Sequence, residues 1–177
     1  MAYVPFYDTT CHLYGPSSSQ AADELAAVDL MLGRLAAALP REGRTLLLVT
    51  ADHGHRDLAP EQLVWPTGDE TFRRLLTAPP AGEERVTYLR VEPSRMEEAK
   101  RRLAPFADVL EAREAWDLGL FGPGDVSPFR ERTGNLIAVA RGGLALGRSY
   151  GSGPSTELWG LHGGWSEVEM RVPVLAL

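Results

Sequence analysis

One cysteine, Cys11, and one lysine, Lys100, occur among the 177 residues. A lone cysteine excludes an internal disulfide and agrees with a reducing compartment. No apolar run approaches the roughly 20 residues that cross a bilayer, and the N-terminus has neither the basic region nor the apolar stretch of a signal peptide. The chain as it stands is therefore expected to be cytoplasmic, the location being open if a signal peptide lies upstream. Basic runs are lacking as well: the net charge of -6 is spread over both signs, which excludes binding to a nucleic-acid groove through a row of phosphates. There is no internal repeat and no low-complexity tract. What remains is average for a globular chain, 44% hydrophobic and 24% charged, and the length fits one ordinary domain with a core.

The chain opens on Ala2-Tyr-Val-Pro-Phe-Tyr7, an apolar and aromatic run that reads as a buried strand. Ser17 and Gln20 then have capping-box spacing, and Leu25, Val28, Leu32, Leu35 and Leu39 recur at steps of three and four, so a helix is expected until Pro40 and Gly43 stop it. Residues 45–50, Thr-Leu-Leu-Leu-Val-Thr, do not alternate, which predicts a central parallel strand covered on both faces and, with the preceding elements, a βαβ unit. From Pro60 to Arg132 the pattern turns proline-rich and charged around a strand at 85–91 and helices near 94–103 and 113–118. That region reads as a small inserted α+β subdomain (60–132), leaving 1–59 and 133–177 as the core. Residues 135–140, Gly142-Gly143 and residues 144–146 read as a hairpin. A glycine- and serine-rich loop over 149–156, a short helix over 166–170 and a last strand over 172–177 complete the chain.

Three groups of residues carry chemistry. Asp8-Thr-Thr-Cys-His12 places a carboxylate and an imidazole four apart, free to converge if the chain turns into helix. Asp52-His53-Gly54 ends the apolar strand, and His162-Gly163-Gly164 precedes the final helix; an open α/β sheet gathers ligands at such strand ends. Singly, each has an ordinary reading as a cap, a turn or a packed histidine. Together they provide two carboxylates and three imidazoles, the oxygen and nitrogen donors that zinc or manganese accepts.

These residues stand in longer stretches: Tyr7-Asp-Thr-Thr-Cys-His-Leu-Tyr-Gly-Pro16, Leu48-Val-Thr-Ala-Asp-His-Gly54 and Leu161-His-Gly-Gly-Trp-Ser-Glu-Val-Glu-Met-Arg-Val-Pro173. In that order they resemble the type I phosphodiesterase and nucleotide pyrophosphatase family of the alkaline phosphatase superfamily. The resemblance implies a partial alkaline-phosphatase-like αβα sandwich with a mostly parallel sheet. It also implies a two-metal hydrolase of phosphate esters, with ions, zinc or manganese, about 4 Å apart. By the same resemblance Asp8, His12 and His162 match the ligands of one metal and Asp52 and His53 two ligands of the other. His55, one glycine further on, is a substrate-side or outer-shell candidate, with an exposed loop histidine as its plain alternative.

In the family the nucleophile is a threonine or serine that forms a phosphoryl-enzyme, and it precedes the motif matched by Asp8, as does a further metal-binding aspartate. Here only seven residues precede Asp8, and none is an acid, serine or threonine. The nucleophile and that aspartate are therefore expected upstream of this chain, which is expected to be inactive alone and to self-associate through exposed sheet surface. The expected ligand is a small phosphate ester, a nucleotide among the candidates. Cys11 lacks the proline and arginine that follow a sulfatase nucleophile. Two alternatives stand beside the hydrolase: a phosphotransferase like the cofactor-independent phosphoglycerate mutases, and a non-catalytic metal-binding interaction domain.

Overall fold

The computed structural model describes residues 1–40, 45–64, 66–125, 127–147 and 158–177. The chain forms two compact units: Met1–Leu58 with Leu158–Leu177, and Ala59–Glu157, which is inserted between them in sequence. Among the described residues no helix is long and apolar enough to cross a membrane.

The first unit opens with a helix, Phe6–Tyr14, rather than the expected strand, and residues 1–6 are exposed. Pro5 is its N-cap and lacks the N–H that a paired strand would use. Gly15, at φ 86°, ends it, and a Cβ there would press on the Asp57 carboxylate. A second helix, Ser19–Ala38, is capped by Ser18, whose side chain accepts the N–H of Ala21. The cap thus lies one residue beyond the Ser17 of the expected capping box. The helix stops at Leu39, which is extended, as the residue before a proline prefers; Gly43 lies outside the described residues.

The strand Leu48–Thr50 pairs antiparallel with Val174–Ala176, and Leu46 and Leu48 are exposed. The expected covered parallel strand, and with it the βαβ unit, is therefore replaced by a short antiparallel pair. A second antiparallel pair, Arg56–Asp57 with Gly160–Leu161, follows directly. The apolar character of residues 45–50 could not report direction, because direction depends on the partner strand some 125 residues away.

The second unit holds the larger core. Its four-stranded sheet runs Ala81–Gly82, Val86–Leu89, Leu136–Ala140, Ala107–Glu111, with every neighbouring pair antiparallel. Leu136–Ala140 is buried at all five positions. Side chains alternate across a strand, so Leu136, Ala138 and Ala140 meet Leu103 and Ala99 of the helix Met96–Leu103, while Ile137 and Val139 meet Ala112 and Ala115 of the helix Ala112–Asp117.

Because both edges of Leu136–Ala140 are taken, the expected hairpin does not form. The chain does turn at Gly142 (φ 52°), with Leu144 N–H donating to the Arg141 carbonyl at 3.0 Å. Ala145–Leu146 then pairs parallel with Leu63–Val64. Buried Arg85 holds that turn through the carbonyls of Gly142 and Leu144. This is the one parallel pair among the described residues, so the expected mostly parallel sheet is not what they form. The expected loop over 149–156 lies outside the described residues.

Candidate metal centre

The two antiparallel pairs of the first unit bracket two connections. Residues 51–55 join Thr50 to Arg56, and residues 162–173 join Leu161 to Val174. Pairing at both ends forces the two connections to lie side by side, which is what brings His53 and His55 to His162. Gly54 makes the approach possible: its N–H donates to the Glu169 carbonyl at 2.8 Å, and a Cβ there would overlap the Val168 carbonyl.

The first helix enters by the same logic. The N–H of Trp159 donates to the His12 carbonyl at 2.8 Å, and a Cβ on Gly160 would overlap the Cys11 carbonyl. Asp8 and His12, four residues apart on that helix, share a face. All four histidines of the chain consequently surround one carboxylate oxygen. Asp8 Oδ1 lies 2.8 Å from His55 Nε2, 3.6 Å from His12 Nε2, 3.8 Å from His162 Nε2 and 3.9 Å from His53 Nε2. His53 and His162 stack, with centroids 3.6 Å apart and planes at 11°.

Backbone carbonyls orient two of these rings. Nδ1 of His12 contacts the Gly160 carbonyl at 2.8 Å, and Nδ1 of His53 contacts the Gly54 carbonyl at 3.1 Å. A carbonyl only accepts, so both Nδ1 atoms donate, and in the neutral ring this leaves the lone pair on Nε2. Burial drives the His162 pKa down to about 4, helped by the neighbouring imidazoles of His53, His55 and His12. Burial also lowers the pKa of His55, against the opposing bond to Asp8. For Asp8 burial acts upward, but the His55 hydrogen bond and the charges of His12, His55 and His162 outweigh it and hold the carboxyl below its ordinary value. A divalent cation requires an ionised carboxylate and imidazole nitrogens with a free lone pair.

Asp8, His53, His55 and His162 each offer a ligand atom, and the four atoms lie within 4.8 Å of one another. The residues present thus fit a metal ion in number, type and convergence. Asp52 stands at the margin: its carboxylate is 66% exposed and lies 3.7 Å from His53 Nε2.

Sequence reasoning missed two supports. Glu169 is buried; its carboxylate accepts the N–H of Gly164 at 2.9 Å and the Ser166 hydroxyl. The Ser166–Glu169 spacing, that of a capping box, was the available signal. Asp57 accepts the N–H of Ser17 at 3.2 Å and its hydroxyl at 2.5 Å, tying the two ends of the unit's first half together; nothing local marks it.

One carboxylate ringed by imidazoles is a donor set suited to the class of metal-dependent hydrolases. Within it, the chain belongs to the type I phosphodiesterase / nucleotide pyrophosphatase family, whose model matches residues 1–165.

Solved structures bear out the partial alkaline-phosphatase-like fold. Murine ectonucleotide pyrophosphatase / phosphodiesterase 5, an inactive form in complex with AMP, superposes with a TM-score of 0.71 at 23% identity, over 96% of this chain and 44% of that one. Its human counterpart gives 0.72 at 21%, over the same shares. Phosphonoacetate hydrolase from Sinorhizobium meliloti 1021, in complex with phosphonoformate, gives 0.67 at 19%, over 96% and 43%. The chain thus spans less than half the length of these structures. No curated protein sequence matches it.

Proposed function

We propose that the first unit is the metal-binding part of a phosphoric ester hydrolase of the phosphodiesterase and nucleotide pyrophosphatase type. One observation carries this reading: four imidazoles from three separate segments converge on the Asp8 carboxylate. Two divalent ions are assigned, zinc or manganese, with Asp8, His12 and His162 at one and Asp52 and His53 at the other. When bound, such ions polarise a phosphoryl oxygen and lower the pKa of an attacking hydroxyl.

The chain's own residues hold and orient. Asp8 and Asp52 offset cation charge, and the carbonyls of Gly160 and Gly54 keep the His12 and His53 rings in the required tautomer. The attacking threonine or serine and a further aspartate are assigned to a segment upstream of Asp8 other than residues 1–7, so this chain alone binds metal without turnover. The substrate class is a small phosphate ester. AMP bound to the murine relative favours a nucleotide within that class. A second reading, a non-catalytic metal-binding domain, is favoured by the exposure of Asp52.

The test is zinc content after dialysis, followed by assay on an aryl phosphodiester. Retained zinc that falls in His162→Ala and His53→Ala, without turnover, is expected. Turnover abolished by His53→Ala would place a working nucleophile within these residues instead, and a chain that retains no zinc overturns the metal reading.

A further inference from the structure

The second unit has a cleft of its own. About 490 Å³ of space opens beside the paired strands Ala81–Gly82 and Val86–Leu89, with Pro79, Ala81, Tyr88, Arg90 and Arg132 in its lining. That volume falls within the range of small-molecule sites, about 300–1,000 Å³. None of the lining residues belongs to the metal centre. Two further members of the lining, Gly82 and Gly134, set the walls close: a Cβ at Gly82 would overlap the Val86 carbonyl and crowd the Tyr88 ring, and one at Gly134 would overlap the Leu89 carbonyl.

Positive charge in this cleft is left unbalanced. Arg130 and Arg132 share the helix Arg130–Thr133, but only Arg130 is engaged, with its guanidinium 5.0 Å from the centroid of the Trp116 ring. Arg132 has no hydrogen bond or ion pair among the described residues. Arg90 donates through Nη2 to the Glu131 carbonyl, which lays its head beside Arg132 and leaves its other N–H groups without a protein partner among the described residues. Burial, and then the charge of Glu83, raise the pKa of Tyr88, so its phenol stays a protonated donor. Two arginines and a hydroxyl thus face a cleft whose other walls are small and apolar.

We infer that this cleft binds a small organic phosphate, a dianionic head on an apolar or aromatic body. Each guanidinium offers a planar fork of N–H donors that matches a pair of phosphate oxygens, and the Tyr88 hydroxyl can serve a third. Pro79 and Ala81 supply apolar surface for the body, and the Tyr88 ring supplies a face on which an aromatic group can stack. Inorganic phosphate would leave those walls in water, and a carboxylate has too few oxygens to occupy both forks. The site needs no metal ion and does not rest on the metal reading of the first unit. Its consequence is a second, guanidinium-based place at which the chain holds a phosphate compound, one that survives removal of metal.

The test uses the whole chain stripped of metal by a chelator. Phenylphosphonate, which has no ester bond to hydrolyse, is the probe, with benzoate and inorganic phosphate beside it. Calorimetry gives the affinities, and NMR of the isotope-labelled chain follows the backbone amides and reports that each variant folds. Shifts concentrated at Gly82, Tyr88 and Gly134 are expected, with both comparison anions bound several-fold more weakly. Arg132→Ala should weaken phenylphosphonate about tenfold, and Arg132→Lys should recover part of the loss. Arg132 is exposed, so neither change disturbs a core. Equal affinity for inorganic phosphate means an adventitious ion only and overturns the inference, as does equal affinity for benzoate. Unchanged affinity in Arg132→Ala, no binding at millimolar probe, or shifts confined to residues 53–55 and 162–164 also overturns it, the last by placing the probe at the metal centre.

Discussion

The backbone N–H of Gly54 donates to the carbonyl of Glu169 at 2.8 Å, and through that bond the turn carrying His53 and His55 is fixed to the short helix Glu167–Met170. A Cβ at position 54 would overlap the Val168 carbonyl, and both neighbours are backbone, which yields little. Gly54→Ala is therefore expected to destabilise the first unit by at least about 2 kcal/mol. A lowered denaturation midpoint with an unchanged slope is the reading that checks it.

Glu169 acts from the other side of the same contact. Its buried carboxylate takes the Gly164 N–H and the Ser166 hydroxyl, and Gly164 stands two residues from His162. Glu169→Gln puts an amide donor where both partners donate, so one bond is lost at a cost of about 1–3 kcal/mol. Zinc affinity should fall with it, because His162 is no longer held toward Asp8. Calorimetric titration with zinc gives the affinity and thermal melting gives the stability; Glu169→Asp, with both acceptors kept, should recover part of each.

Acid should unfold the metal-free chain early. His162 titrates at about 4 in the folded chain and near 6.5 when unfolded, so between those values the unfolded chain binds more protons and stability rises with pH. The contribution is complete above about pH 6.5 and is lost as pH falls toward 4. His55, shifted in the same direction, adds to the slope. Denaturant midpoints of the metal-free protein from pH 7 to pH 4 should fall, and His162→Gln should flatten that fall.

Zinc should stabilise the first unit most. Its buried apolar side chains among the described residues are Cys11, Ala21 and Leu161, whereas the second unit buries two clusters around Leu136–Ala140. A sparse core gains proportionally more from a ligand that binds only the folded form, about 2.7 kcal/mol at a hundredfold excess over Kd. Hydrogen exchange with and without zinc should show protection concentrated in residues 6–14, 48–58 and 158–177.

The same sparse core leaves apolar surface outside. Leu25, Leu30, Met31 and Leu35 of the helix Ser19–Ala38 are exposed, as are Leu48 and Leu175 of the strand pair. Exposed apolar patches and free strand edges favour association. Sedimentation at micromolar concentration should show species larger than a monomer, and Leu30→Lys with Met31→Lys should reduce them.

The amino-acid sequence by itself determined the elements that depend on neighbours: the helix Ser19–Ala38 from its three-and-four spacing, the helices Met96–Leu103 and Ala112–Asp117, the shared face of Asp8 and His12, and the family through three ordered motifs. It misled where long-range partners decide. The run at 45–50 looked like a covered parallel strand and is an exposed antiparallel one, and the glycine pair at 142–143 turns the chain without making a hairpin because both edges of Leu136–Ala140 are already occupied. Tertiary structure alone decided that His55 meets Asp8, that Glu169 braces the site, and that the two strand pairs clamp residues 51–55 beside residues 162–173. Spacing of a few residues sets a local angle through the backbone, but the meeting of Asp8, His55 and His162 requires closing loops of roughly fifty and a hundred residues, and only the complete set of pairings and close glycine contacts offsets that entropy.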